Sequence, residues 1–398
     1  MKVSKRTLIV LAAASVFAAP MAYAQGKDAI RIGVPTALTG PYGDLGDQVK
    51  RAMTLAVDQA NAAGGVDGRK VEVRFLDTQA KADMARQQGE KLALSGFSLL
   101  MGSIASGEAL AMGPMLERWD ALYISTVNKA DAITGASCSP RMFRVNRPDY
   151  TDAAVVKPWL ETRKEAKWAV VAADIAWGRN SAGSFRKAAQ ETNRQVVSES
   201  FPPFGTNDYA TYIQSVANSG ATALWVALAG SDAVNFATQA KQFGLFDKVF
   251  TAGVSFVTDN TAKTLGAASK GIFGIINYSS TLDTPANKKF VAEWAKKYPG
   301  TTPSNFEGET YIGTQVLFQA IQKAGSVKPA DVSKALSGGT FTTILGEQRL
   351  RKEDHQLVAP NYFGHVDLSA GVWKPIIDMS VPADLATPAP DGSCKKAG

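Results

Sequence analysis

The chain has 398 residues, 45% of them hydrophobic and 20% charged, with 35 glycines, 18 prolines and two cysteines. That balance excludes a disordered chain, a collagen-like repeat and a disulfide-dense miniprotein, and the length suits two domains rather than one. The formal net charge of +7 does not point to nucleic acid, because the basic residues are scattered along helices such as Lys157 to Lys167 and form no dense stripe.

The first 24 residues read as a secretory signal peptide. Lys2, Lys5 and Arg6 precede an apolar run from Leu8 to Ala19, and Ala22-Tyr23-Ala24 supplies small residues for cleavage after Ala24. The run is about 12 residues, too short for the roughly 20 that span a bilayer. The mature chain of 374 residues (398 minus 24) then carries 40 basic against 36 acidic groups, an excess of +4. The expectation is an exported, soluble protein free of the membrane; the alternative is a retained helical anchor.

After the leader, β-rich runs alternate with helical periods, the signature of parallel strands joined by crossover helices. Residues 30–77 read as strand, glycine loop, helix, turn and strand. In the helix Val49, Ala52, Met53, Ala56 and Ala60 recur at three and four, and Gly64-Gly65 ends it. Further strands are expected at Val71 to Leu76, Leu99 to Gly102 and Leu122 to Ser125. A connection rich in charge, FRVNRPDYTDA, precedes a second set: strand Trp168 to Ala173, helix Ser181 to Thr192, strand Val196 to Ser200, helix Tyr209 to Ser219 and strand Leu224 to Leu228. The segment Ile272 to Leu282 leads into helices over Pro285 to Tyr298 and Glu309 to Ala324, which could complete the first lobe, and the chain is expected to recross near Thr342 to Glu347. A strand over Tyr362 to Leu368 holds His365.

The fold expected is α/β: two doubly wound parallel-sheet lobes joined by a three-crossing hinge. Residues 27–147 with 281–341 would form the first lobe, 148–280 with 342–380 the second, and 381–398 a C-terminal tail. Ligands of open α/β sheets bind beyond the carboxyl ends of strands, so the cleft between lobes is the expected site.

Cys138 and Cys394, an even pair in an oxidising compartment, are a disulfide candidate that would staple the tail onto the first lobe. Closing a loop of more than 250 residues is worth roughly 4 to 5 kcal/mol in the chain-entropy model. Two idle thiols are the alternative. No histidine lies near either cysteine in the sequence, so a metal site is not expected. No G-x-S-x-G elbow, phosphate loop or G-x-G-x-x-G fingerprint occurs, and His355 and His365 stand in no catalytic context. A carboxylate-pair hydrolase remains open on the residues alone.

Five stretches together resemble the periplasmic solute-binding proteins of branched-chain amino acid ABC importers: IRIGVPTALTGPYGDLG, LAVDQANAAGGVDGRKVEV, MGSIASGEALAMGP, YIST with DAIT after it, and DYATYIQSVANSGATALWVAL. The resemblance covers about Ile30 to Asp367. It implies the type I periplasmic binding fold, no cofactor, no catalysis, a small-molecule ligand, a membrane permease and ATPase as partners, and a monomer.

It also implies site residues. The family's carboxylate-gripping serine falls on Ser106, with Gly107 beside it where a strand gives way to a helix and free N–H groups meet a favourable dipole; a plain N-cap is the competing role for Ser106. The second gripping loop falls on Val127, Asn128 and Lys129. There Lys129 departs from the family pattern, and either adds charge to an anion site or is solvated. Ser255 stands where the family has the glutamate that pairs with a ligand ammonium, so an amino acid would need Asp174 or Asp232 as a substitute. Leu45 replaces a frequent tyrosine, Trp177 matches a tyrosine that closes over the ligand, and Tyr42 and Phe256 are further aromatic candidates, each with core packing as the alternative. A pocket lacking the ammonium acid suits an aromatic or other organic acid, with an aliphatic amino acid as the other option. A sensory module reporting to a membrane receptor is the alternative use of the same lobes.

Overall fold

The computed structural model describes residues 28–396; the expected signal peptide, 1–24, lies outside them. The first lobe begins with β1 (Ile30–Thr36), α1 (Gly43–Ala62), β2 (Val71–Asp77), α2 (Ala82–Leu94), β3 (Leu99–Met101), α3 (Ser106–Met112), β4 (Leu122–Ser125) and β5 (Met142–Arg144). Its five strands are all parallel, in the order β2-β1-β3-β4-β5. Such a sheet must be covered on both faces, and β3, β4 and β5 are buried along their whole length.

The second lobe runs from α4 (Asp149–Glu161) through β6 (Lys167–Ala172), α5 (Ala176–Glu191), β7 (Gln195–Ser200), α6 (Ala210–Asn218), β8 (Ala223–Ala227), α7 (Gly230–Gln242), β9 (Phe250–Val254), α8 (Asp259–Leu265) and β10 (Phe273–Ile276). The chain then supplies α9 (Pro285–Lys297), α10 (Asn305–Ala324), α11 (Pro329–Leu336), β11 (Thr340–Thr343) and β12 (Gly346–Arg349), before β13 (Asn361–Ser369), β14 (Val372–Val381) and α12 (Ala383–Ala386). The second sheet has the order β14-β13-β10-β9-β8-β6-β7, with β13 and β14 antiparallel to their neighbours.

Helix α10 belongs to the first lobe. Arg51 of α1 pairs with its Glu307 at 2.5 Å, and the Tyr311 hydroxyl donates to Gln59 at 2.6 Å. The β11–β12 hairpin lies on that helix too: the Gln319 amide donates to the Thr342 carbonyl at 2.7 Å and accepts from its N–H at 3.0 Å. The last crossing is therefore not at Thr342 to Glu347. It follows Gln356, which still bridges to Arg144 at the edge of the first sheet, and precedes Asn361, where β13 begins. An antiparallel hairpin with turn residues Ile344-Leu345 has the length of a crossing strand in sequence, and only its docking on α10 separates the two.

Two helices start earlier than their apolar periods suggest. Ser304 caps α10 by accepting from the Glu307 N–H, while the Glu307 carboxylate accepts from the Ser304 N–H, a capping box that moves the start to Asn305 rather than Glu309. Helix α5 starts at Ala176 rather than Ser181. Its Gly178 allows this, since a Cβ there would stand 2.0 Å from the Ala173 carbonyl oxygen; Gly46 of α1 is used the same way, 1.6 Å from that of Ala37. In each lobe a glycine thus seats the first helical turn on the end of the preceding strand, and the residue just before it, Leu45 or Trp177, is carried to the cleft.

Cys138 and Cys394 form the disulfide, across 256 residues of sequence. It ties the tail that leaves the second sheet to the first lobe. No helix among the described residues is long and apolar enough to cross a membrane.

Candidate ligand-binding cleft

The lobes touch directly. The Pro41 carbonyl accepts from the Ser231 N–H at 3.0 Å, Asn260 donates to Asp44 at 3.2 Å, and Asn180 donates to Asp131 at 3.0 Å. Between them lies a cavity of about 20 Å³ lined by Tyr42, Leu45, Ile104, Val127, Lys129, Trp177, Ala229, Ser255 and Phe306. That is room for about one water molecule. It shares Leu45, Ser255 and Phe306 with an outer groove of about 680 Å³ between α1, α8 and the start of α10. A groove of similar size runs between α4, α5 and the tail, but its ionic side chains are already engaged, Lys157 with Glu191 at 3.0 Å and Asp354 with Arg351 at 2.6 Å.

Six of the sequence candidates, Tyr42, Leu45, Val127, Lys129, Trp177 and Ser255, meet at the inner cavity. Ser106 lies behind them, 1% exposed. It is the first residue of α3, not its cap; Ala105 holds that position, and the plain N-cap role does not apply. The Ser106 hydroxyl oxygen accepts from the N–H groups of Lys129 and Ala130 at 3.1 and 3.0 Å. It therefore clamps the second loop to α3 and keeps its own proton to donate. Gly107 follows in the first turn, where no intrahelical carbonyl serves the N–H. Just below, the Glu108 carboxylate accepts from Ile104 and Ala105 at 2.9 and 2.6 Å and from Thr78, and burial raises its pKa to about 7.

Asn128 does not line the cavity. Its amide is spent inside the lobe: Nδ2 donates to the Ala105 carbonyl at 2.9 Å, and Oδ1 accepts from Tyr123 at 2.6 Å and Ser125 at 3.0 Å. Lys129 is not solvated. It is 5% exposed, and its ammonium stands 2.9 Å from Asp152, donates to the Arg147 carbonyl at 2.8 Å and to Asn277 at 3.1 Å. Asn361 also donates to Asp152, at 3.0 Å. Residues from all three crossings therefore meet at one lysine that also walls the cavity. Burial raises the Asp152 pKa, and Lys129 pulls it back down.

The second lobe supplies the opposite wall. Trp177 is 5% exposed and fixed by its indole N–H, which donates to Asp149 at 3.2 Å. Burial pushes the Asp149 carboxyl well above the usual range, and Asp131 adds to this. Ser255 follows β9 with φ of +56°, a left-handed conformation that turns it into both the cavity and the groove. Phe256, by contrast, is fully buried with its ring 6.1 Å from Phe236; it is core, not wall. Asp174 is half exposed and paired with Arg179 at 2.8 Å, away from the cavity.

Ile104, Ala229 and Phe306 were missed in the sequence. Phe306 had a signal in the S-x-x-E box of Ser304 and Glu307, which fixes the helix start; that this turn faces the cleft is tertiary. No carboxylate lines the inner cavity among the described residues.

The model of the periplasmic binding protein family matches residues 29–371. The chain belongs to this family. A Leu/Ile/Val-binding protein homolog 7 of Brucella abortus (strain 2308) is 25% identical over 341 residues, covering 82% of this chain and 85% of the relative. An ABC transporter substrate-binding protein from Sphaerobacter thermophilus superposes with a TM-score of 0.81 at 27% identity, covering 91% of this chain and all of the other. A solute-binding protein of an ABC transporter from Rhodopseudomonas palustris BisB5, in complex with 3,4-dihydroxy benzoic acid, superposes with a TM-score of 0.83 at 22% identity, covering 90% and 98%. This member of the periplasmic binding protein family is thus the substrate-binding component of an ABC transporter, a solute-binding protein and not an enzyme.

Proposed function

We propose that the protein captures a small organic acid without an ammonium group, an aromatic acid foremost, and delivers it from the periplasm to a membrane permease and its ATPase, acting as a monomer. The observation that carries this reading is the composition of the inner wall: three aromatic side chains, four aliphatic ones, Ser255 and an already paired Lys129, with no carboxylate among the residues that line it. The Rhodopseudomonas palustris neighbour that holds a dihydroxybenzoic acid has the same fold and is consistent with it.

In this reading the solute enters by the outer groove, since about 20 Å³ cannot admit it until the lobes part. Its carboxylate takes the Ser106 proton and the N–H groups at the start of α3, which carry the positive end of the helix dipole. Trp177, Tyr42 and Phe306 cover the apolar body. Contacts to both lobes favour the closed form over the open one, and the closed form docks on the permease.

Calorimetric titration of the mature chain, stripped of carried-over solute by unfolding and refolding, tests it. Benzoate-type acids should bind and leucine should not, and Ser106→Ala should weaken the acid by about 1–3 kcal/mol in protein that still melts cooperatively. Tight binding of leucine, or folded Ser106→Ala with unchanged affinity, would sink the reading.

A further inference from the structure

Beside the inner cavity is a polar cluster whose oxygens are not satisfied. Tyr42 is 2% exposed, Asp232 1% and Tyr209 0%, yet the two phenol hydroxyls and Asp232 Oδ1 have no hydrogen-bond partner. Asp232 uses only Oδ2, which accepts from the Gly205 N–H at 3.1 Å. The three are brought together across the lobe boundary. The Tyr42 ring packs edge-on against Phe204, next to Gly205, with centroids 4.7 Å apart. A Cβ on Gly230, two residues before Asp232, would sit 2.9 Å from the Tyr42 ring. Tyr209 belongs to the same segment as Gly205, and its ring lies against Phe236 of α7, 5.6 Å centroid to centroid. Tyr42 and Ala229, three residues from Asp232, both line the cavity.

Buried polar atoms are almost always bonded, and an orphan costs more than a hydrogen bond returns. The two phenols can donate and the ionised Asp232 Oδ1 can only accept, so a group that both donates and accepts would serve all of them. A hydroxyl donates one hydrogen bond and accepts up to two. It satisfies Asp232 Oδ1 as donor and a phenol as acceptor. An ammonium offers donors only, and would leave the phenol protons unused.

We propose that Tyr42, Asp232 and Tyr209 form the specificity-determining end of the solute site, receiving a hydroxyl carried by the bound acid at the end away from its carboxylate. This rests on the reading of the cleft as an acid-binding site. The cluster then selects among acids rather than for acids, and a solute lacking the hydroxyl leaves it unpaired, which is how a polar pocket rejects an analogue far more strongly than an apolar one can.

The experiment is a calorimetric comparison of benzoate and 4-hydroxybenzoate, with 4-aminobenzoate as a third arm, on the full mature chain and on Asp232→Asn, Tyr209→Phe and Ser106→Ala. The wild type should prefer the hydroxy acid over benzoate by about tenfold or more, with the amino acid analogue between. Tyr209→Phe and Asp232→Asn should shrink that ratio toward one, whereas Ser106→Ala should weaken both acids and leave the ratio standing. Equal affinity for benzoate and 4-hydroxybenzoate in the wild type, as when a water fills the cluster, would overturn the subsite and leave the acid reading intact. A ratio unmoved by both cluster variants would overturn it as well. No binding of any of the three acids would instead overturn the acid reading together with the subsite. Tyr209→Phe removes a single unbonded atom, so the test does not depend on Asp232→Asn folding.

Discussion

Two buried polar clusters reach the same cavity, and they differ in how their atoms are used. Around Lys129 the charges are answered: Asp152 at 2.9 Å, the Arg147 carbonyl at 2.8 Å, Asn277 at 3.1 Å, with Asn361 completing Asp152. Around Asp232 the two phenols and one carboxylate oxygen are buried without partners. The first cluster joins residues from the three crossings, so its interactions close on themselves and serve the hinge. The second spans the lobe boundary, with Tyr42 on one side and Tyr209 and Asp232 on the other, and in the proposed subsite its unpaired oxygens receive the solute's hydroxyl.

The largest expected effect breaks the answered cluster. Lys129→Met leaves Asp152 buried without its cation, and stability in urea should fall by about 3–5 kcal/mol; a loss below about 1 kcal/mol would mean that the ion pair does not organise the hinge. Next is Asn277→Ala, which takes an acceptor from Lys129 and a donor from Asn361, with an expected loss of about 1–3 kcal/mol by the same measurement.

On the other side of the comparison, Asp232→Asn should change the pH dependence of stability. Burial raises this carboxyl from 3.8 to about 6, so the folded state holds its proton more tightly than the unfolded chain does. Wild-type stability therefore carries a term that is lost as pH rises from about 4 to 6. The variant lacks that term, and its stability relative to wild type should improve by on the order of 1–2 kcal/mol between pH 4 and 7. A difference that does not change with pH would show that Asp232 titrates normally. The smallest effect sharpens the contrast: Tyr209→Phe removes a hydroxyl with no partner, and thermal melting of the solute-free protein should move by the equivalent of about 0.5 kcal/mol or less. A loss comparable to that of Asn277→Ala would mean that the hydroxyl is bonded after all.

Leu45 and Trp177 were legible through the family resemblance rather than through local rules, since the apolar period alone starts α5 at Ser181; the structure shows Gly46 and Gly178 seating the two helices that carry both residues to the cavity. The clamp made by Ser106 was half legible: its position at a strand-to-helix turn follows from the sequence, but its two bonds to the 129–130 loop span more than twenty residues and follow from packing. Phe256 misled because β-strand ends expose alternate faces, and a turn at Ser255 with φ of +56° reverses which residue looks inward. Lys129 misled for a related reason. A loop lysine is ordinarily solvated, and only the convergence of Asp152, Asn277 and Asn361 from distant segments makes its burial tolerable.

By itself, then, the sequence determined the alternation of strands and helices, the two-lobe α/β plan and the turns where a ligand could be gripped, because periodicity, glycine positions and caps act over a few residues. Tertiary structure decided that the β11–β12 hairpin docks on α10 and the last crossing waits until after Gln356, that Phe306 joins the wall, and that Lys129 is answered while Asp232 is not. Those outcomes depend on contacts between segments up to about 250 residues apart, where the stabilising term is the pairing of buried polar atoms, and no local pattern records which partner will be present.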